Sequence, residues 1–341
     1  MLLSMYILCF NHEKYIEEAV KGAFAQTYSP LEIIISDDCS SDKTWEIIQN
    51  LTSAYQGPHK IIVRQNSKNL GISEHINEIW KICSGEWILA SASDDISYPE
   101  RASETAVAIS RYPNIKLFQA WLNEVDYSGK LLKLNELNCS VEAMPVDGII
   151  SPKRFIEQPF FQHGAAMAYS NEIFKVFGPL PAGVIFEDNI VNVRAELLGG
   201  CAVIARPLVN HRNHSGQITN TNATSSLGLI KERLKMIYYS DVISSNENLK
   251  NYSHVPKINI FGFKEYGNIL KRRNAFFECR YRALVSIWPL RILFLLSLLA
   301  RKPWSCKIRR REILFMGAPI VLIQLMANFR IRFNGILMKL L

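Results

Sequence analysis

Short apolar runs alternate with stretches of helical periodicity over the first 120 residues. Leu3–Phe10 is a short apolar run suited to a buried strand, closed by Asn11, a turn former. In Lys14–Ala25 the apolar positions are Tyr15, Ile16, Ala19, Val20, Ala23 and Phe24, the spacing of a helix with one wet face. Pro30 stops that helix, and Leu31–Ile35 is a second strand. Ser40, Ser41 and Asp42 offer N-caps to a helix over Thr44–Leu51, and Ile61–Gln65 is a third strand. Ile72–Cys83 carries Ile72, His75, Ile76, Ile79 and Trp80 along one face, which makes His75 a core residue. Trp87–Ala90 is a fourth strand. Strands separated by helices predict an α/β fold with a mostly parallel sheet covered on both faces.

From residue 101 the pattern is less regular. Helices are expected over Ala102–Tyr112, from Ser170 to Phe177 and over Ile190–Leu198. Strands are expected over Lys116–Leu122 and Ala165–Tyr169 and starting at Val203–Ile204, with a turn at Tyr127–Lys130. The apolar stretches Ala283–Ala300 and Ile313–Phe329, 18 and 17 residues long, flank a basic segment that runs from Arg301 to Arg311. Spanning a bilayer takes roughly 20 mostly apolar residues. A pair of basic, apolar helices lying in the membrane interface is therefore expected; a spanning hairpin and packing on the body stay open. This change of character divides the chain into residues 1–222 and a helical, basic and apolar extension over 223–341.

Charge sharpens that division. Residues 271–341 hold 15 Lys/Arg against 2 Glu, a balance of +13, while residues 1–270 hold 24 against 29, a balance of −5. A basic tail on a mildly acidic body points to an anionic surface as its partner. Nucleic acid is not expected, because Arg309–Arg311 lies between apolar stretches, without interleaved aromatics or a polar surface. The apolar fraction of 48% with 21% charged residues is that of a globular protein. Seven cysteines without CxxC or zinc spacing suit a reducing compartment. The start, MLLSMYILCFN, fits a first strand better than a signal peptide.

Candidate chemistry lies in three pairs of adjacent carboxylates: Asp37-Asp38 after LEIIIS, Asp94-Asp95 after EWILASAS, and Glu187-Asp188 after PAGVIF. Parallel sheets bind ligands beyond the C-terminal ends of their strands, and Asn11 and the first two pairs fall at such ends. Taken singly, each pair could be a solvated loop or a helix cap. Together they suit a divalent cation, a ribose or base, and a proton acceptor.

Several segments also resemble a known family. SMYILCFNHEKYIEEA, AFAQTYSPLEIIISDDCSSDKTWEII, NLGISEHIN, SGEWILASASDDISYPER, FGPLPAGVIFEDNIVNVRAELLGG and PLVNHRNHSGQIT are similar, in this order, to the motifs of the family 2 nucleotide-sugar glycosyltransferases. The resemblance covers about residues 1–220. It implies a GT-A fold, with a nucleotide-binding half over 1–120 and an acceptor half over 121–222. The implied activity is transfer of a sugar from a uridine or thymidine diphosphate donor to a hydroxyl. Asp38, with Asp37 beside it, is placed to read the base, and Phe10 to stack on it unless it is a core residue. Asp94 and Asp95 resemble the ribose and metal carboxylates, and His214 a further metal or diphosphate ligand, or else a polar loop residue. Asp188 resembles the catalytic base. One position departs from the pattern: Ala92 stands where the family's Asp-x-Asp-Asp motif begins with a carboxylate, which leaves the roles of Asp94 and Asp95 undivided.

An oxygen donor set favours Mg²⁺ or Mn²⁺ over zinc. His163 is expected near the acceptor or as a buried structural residue. Arg194 is expected as a salt-bridge partner of its helix, with a diphosphate clamp as the alternative. The whole describes an inverting, metal-dependent transferase acting on a lipid-linked glycan in surface polysaccharide synthesis, such as O-antigen or capsule. It would be peripheral on the cytoplasmic membrane face, with residues 271–341 on the anionic surface. A catalytically silent nucleotide-sugar-binding protein of the same fold is the alternative.

Overall fold

The computed structural model describes residues 1–136, 148–150, 163–215, 217 and 227–254, with scattered helical positions between 267 and 281. The nucleotide half follows the expected alternation. It runs β1 (Leu3–Cys9), α1 (Ile16–Phe24), β2 (Leu31–Asp37), α2 (Thr44–Ser53), β3 (Lys60–Gln65), α3 (Ile72–Trp80) and β4 (Trp87–Ala92). Next come β5 (Ile96–Ser97), α4 (Arg101–Arg111), β6 (Leu117–Asp126), β7 (Leu131–Glu136) and β8 (Gly148–Ile149). A single 3₁₀ turn at Gly164–Ala166 leads into β9 (Met167–Ser170), α5 (Glu172–Phe177), α6 (Asp188–Leu198), β10 (Cys201–Asn213) and α7 (Leu227–His254).

The strands form one sheet in the order β3-β2-β1-β4-β9-β6-β10-β5, with β7 beside β6 and β8 beside β10. Pairings β1–β2, β1–β4, β2–β3 and β6–β10 are parallel. β9 enters antiparallel between β4 and β6, so the sheet is mixed. Every residue of β2 is buried, as befits a strand covered on both faces. Alternate side chains feed two cores. Met5, Ile7, Ile33 and Ile35 pack with Val20 and Ile48 on one side. Tyr6, Ile34 and Ile88 pack with Ile76, Ile79 and Trp80 on the other. Each fully buried Ile contributes about 1.5–3 kcal/mol through the apolar area it removes from water.

Two features differ from the expected layout. The last strand is much longer than its Val203–Ile204 seed, because it passes Pro207 by shifting register against β6 instead of ending there. The turn at residues 127–130 closes a hairpin whose second strand, β7, is not among the strands expected from the sequence. The division at 222 falls just before α7, which packs on α6 through buried polar side chains. The apolar stretches Ala283–Ala300 and Ile313–Phe329 and the basic segment between them lie outside the described residues. Among the described residues no helix is long and apolar enough to cross a membrane.

Candidate active site

The C-terminal ends of β1, β2 and β4 carry the polar groups. At the end of β2 the Asp37 carboxylate accepts hydrogen bonds from the backbone N–H and hydroxyl of Ser40 and, at 2.9 Å, from Gln65 Nε2. The Asp38 carboxylate accepts from Asn66 Nδ2 at 2.7 Å, Leu70 N at 2.9 Å and Gly71 N at 3.0 Å. Gly71 can present its N–H there because it adopts φ +80°, which other residues resist. An ionised carboxylate has about four acceptor sites, and these bonds occupy three of those of Asp38, whose Oδ2 also lies 3.9 Å from His75 Nδ1. Phe10, at the end of β1, is 42% exposed and so belongs to the surface rather than the core. His75 is core as expected, its Nε2 2.6 Å from Ser36 Oγ, and burial pushes its imidazole down to about 4.

Beyond β4, Asp94 meets two imidazoles. Its Oδ2 lies 3.0 Å from His214 Nε2 and 4.0 Å from His12 Nε2. One ligand atom from each of these three residues lies within 4.8 Å of the others. His12 comes from the loop after β1, where its Nδ1 is 2.7 Å from Ser93 Oγ, and that contact fixes the ring with Nε2 facing Asp94. Burial works to raise the pKa of Asp94. The His214 hydrogen bond and the nearby imidazole charges outweigh it and hold the carboxylate below its ordinary value. Desolvation lowers the pKa of His12, so its nitrogen lone pair is free to ligate at neutral pH.

Asp95 stands apart from this set, although it was expected as a metal ligand. Its Oδ1 accepts the backbone N–H of Arg212 at 2.9 Å, and burial and the Asp94 charge raise its pKa well above that of an ordinary carboxylate. The Arg212 guanidinium bonds to Asp94 O at 3.0 Å, Tyr127 O at 3.0 Å and Glu18 Oε2 at 2.7 Å. It also lies over the Tyr15 ring at 4.9 Å. Beneath, the buried Arg101 donates to Ser91 Oγ and Ser97 Oγ, each at 2.9 Å, and to the carbonyls of Ala90 and Met167. Arg212 thus holds the loop between β4 and β5, and Arg101 ties together the two strands that flank it.

The third carboxylate pair opens α6. Glu187 and Asp188 are partly accessible. Desolvation pushes Glu187 up to about 7. Asp188 rises well above its usual value through desolvation and the charges of Glu187 and Asp241. Glu187 Oε1 packs on Gly164, where any Cβ would stand 2.2 Å from it. The pair therefore leans on the 3₁₀ turn that enters β9.

His163 lies beside this turn with its ring 4.7 Å from that of His211, and desolvation followed by the His211 charge lowers its pKa to about 4. Arg194 pairs with Glu247 at 3.1 Å and bonds Gly178 O and Pro179 O, so its fully buried guanidinium is committed to protein groups. His12, Arg212 and Glu247 carried no signal that set them apart from loop or surface residues in the sequence.

Comparisons with known proteins agree with this architecture. A glucosyltransferase of Escherichia coli, WfaP, named for UDP-Glc and α-D-GlcNAc-diphosphoundecaprenol, is 30% identical over 162 residues, 43% of this chain and 62% of its own. The chain spans at most about 62% of the length of these curated relatives, and as little as 14% of one of them. The structure of Staphylococcus aureus TarS 1–349 has a TM-score of 0.60 at 16% identity, covering 88% of this chain and 80% of that one. A mannosyltransferase of Pyrobaculum calidifontis, solved in complex with GDP-Man and Mn²⁺, has a TM-score of 0.51 at 12% identity, covering 97% and 87%. These likenesses show the GT-A fold. Residues 4–176 match the model of glycosyl transferase family 2, and the chain belongs to that family.

Proposed function

We propose that the protein is an inverting, metal-dependent transferase that moves a sugar from a nucleoside diphosphate to a hydroxyl of a lipid-linked glycan, in the synthesis of a surface polysaccharide. The observation that carries this is the meeting of His12, Asp94 and His214 at the strand ends where α/β sheets bind their ligands. Two imidazole nitrogens and one carboxylate oxygen fit a divalent ion. That donor set keeps the Asp94 and His214 expected of the sequence, has His12 in place of Asp95, and favours Mn²⁺ over Mg²⁺, which prefers oxygen and water. Bound there, the ion would neutralise the charge that grows on a departing diphosphate.

The remaining steps belong to the chain's own groups. Asp38 reads the base, and Phe10 offers a ring face for stacking. Asp188 takes the proton of the acceptor hydroxyl as that oxygen bonds to the anomeric carbon. The diphosphate leaves with the electron pair on the opposite face, and the configuration inverts. Support for donor and acceptor comes from the name of WfaP and from the nucleotide-sugar complex of the mannosyltransferase.

The test is release of nucleoside diphosphate from UDP-glucose, UDP-GlcNAc, dTDP-glucose and GDP-mannose. We expect turnover with one donor, lost in EDTA and restored better by Mn²⁺ than by Mg²⁺. Ala92, at a position where the family carries a carboxylate, favours a second reading as a silent nucleotide-sugar-binding protein. Nucleotide binding without release from any donor, with a lipid-linked acceptor supplied, would decide for it.

The balance of +13 over residues 271–341 supports a place on the inner membrane face, since each Lys/Arg near an anionic surface contributes about 1 kcal/mol. Protein lacking residues 271–341 is expected to stay in the supernatant when mixed with anionic liposomes. Pelleting equal to that of the full chain would move the anchor elsewhere.

A further inference from the structure

We infer that α7 is a positioning element of the active site: Ser240, Glu247 and Asn248 hold in place the segment 178–189 that carries Asp188, an inference that rests on Asp188 being the catalytic base. The helix lies beyond residues 4–176, the part matched by the family model, and beyond the division expected at 222. It nevertheless fastens that segment at three points. Glu247 pairs with Arg194 at 3.1 Å, and the same guanidinium bonds Gly178 O at 2.8 Å and Pro179 O at 3.2 Å. Ser240 Oγ accepts the N–H of Ile185 at 2.9 Å. Asn248 Nδ2 donates to Asn189 O at 3.1 Å, one residue past Asp188. The carboxylate pair thus sits between two backbone groups that α7 holds directly.

The composition of the helix face agrees with this role. A helix that packs only for stability buries an apolar stripe. Here Ser240, Ser244, Ser245, Asn248 and Asn251 are buried beside Ile243, Leu249 and Tyr252, which pack on the core. Burying polar groups costs free energy unless they are bonded, and Ser240 and Asn248 spend their bonds on the main chain around Asp188. Directional bonds to backbone fix a loop's register more tightly than apolar contact does. Asp241, next to Ser240, adds its charge to the field on Asp188. The other titratable groups that face the pair are Tyr6 and Tyr169, both coupled electrostatically to Glu187.

Displacing a catalytic group by about 1 Å can cost on the order of 10²-fold in rate. Ser240→Ala and Asn248→Ala are therefore expected to lower kcat by about 10–100-fold while the donor KM stays within about twofold, since the donor groups lie on β1, β2 and β4. Ser240→Thr, which keeps the oxygen, restores most of the rate. Asp241→Asn, which removes a negative charge facing Asp188, moves the acid limb of the kcat–pH profile to lower pH. Amide hydrogen exchange supplies a readout that needs no turnover. Residues 178–189 of Ser240→Ala and Asn248→Ala should exchange about tenfold faster than wild type, with β1 and β2 unchanged. Wild-type exchange in both variants would overturn the inference, as would kcat and pH profiles unmoved in all three. If the wild-type protein turned over no donor, the catalytic proposal would fail on its own, and exchange over 178–189 would still decide the positioning.

Discussion

Asp188→Asn is expected to lower kcat by roughly 10²–10⁴, the usual contribution of a positioned general base. The amide has nearly the shape of the carboxylate, so α6 still starts at residue 188 and the donor KM should change little. The chemistry is lost because an amide cannot take the acceptor's proton. The ionisation of the wild-type pair supplies a second signature. Glu187 is pushed up to about 7 by desolvation, and Asp188 is raised by desolvation and by the Glu187 charge. A base with a raised pKa is idle while protonated, so wild-type kcat should still be climbing with pH above the range in which an ordinary Asp ionises. An unperturbed Asp would already be ionised near pH 4. Glu187→Gln removes one negative neighbour, and the acid limb should then move to lower pH. The kcat–pH profiles of the three proteins check this. A profile flat from pH 5 to 8 in wild type, or full activity in Asp188→Asn, would remove Asp188 from the role.

Mn²⁺ binding should collapse when any of His12, Asp94 or His214 is replaced by Ala. Removing an outer-shell partner of a metal ligand already costs roughly 10–100-fold in affinity, and removing the ligand itself should cost at least that. Titration of Mn²⁺ followed by its electron paramagnetic resonance signal measures this directly, without substrate. Asp95→Asn makes the contrasting case. Its carboxylate holds the backbone N–H of Arg212 and lies outside the three-residue group, so Mn²⁺ affinity should fall far less than in Asp94→Ala. The two variants together divide roles that the Ala-Ser-Asp-Asp motif leaves undivided. Unchanged Mn²⁺ affinity in His12→Ala would return the site to the carboxylates.

The nucleotide half was legible because each of its elements is local. β1 and β2 are buried on both faces and read as apolar runs broken only by Ser4 in β1 and by Glu32, Ser36 and Asp37 in β2, and they end at Cys9 and Asp37. α1 and α3 bury the faces that their three-to-four spacing marks. Of the three-residue group, Asp94 was marked by its place in a carboxylate pair and His214 by the resemblance alone. His12 is one polar residue in a loop, and it gains meaning only when β10 brings His214 beside it across the fold. Asp37, expected beside Asp38 at the base, ties Ser40 and Gln65 to the strand end. The acceptor half was less legible because β9 crosses antiparallel between two strands far from it in sequence, and β10 continues past a proline that usually ends a strand.

The antiparallel entry of β9 has a consequence for how the chain is made. The four-stranded ladder β3-β2-β1-β4 is complete once residue 92 has been synthesised, and domains tend to form as their residues emerge. The outer edge of β4 then stays unpaired until Met167–Ser170 appear, which at roughly 5–20 residues per second means several seconds. During that time Trp87, Ile88 and Leu89 offer an open row of N–H and C=O groups to any neighbouring strand, including the same edge of a second nascent copy. β9, a strand of four residues, is therefore also the seal that ends the period in which half-made chains can pair with one another.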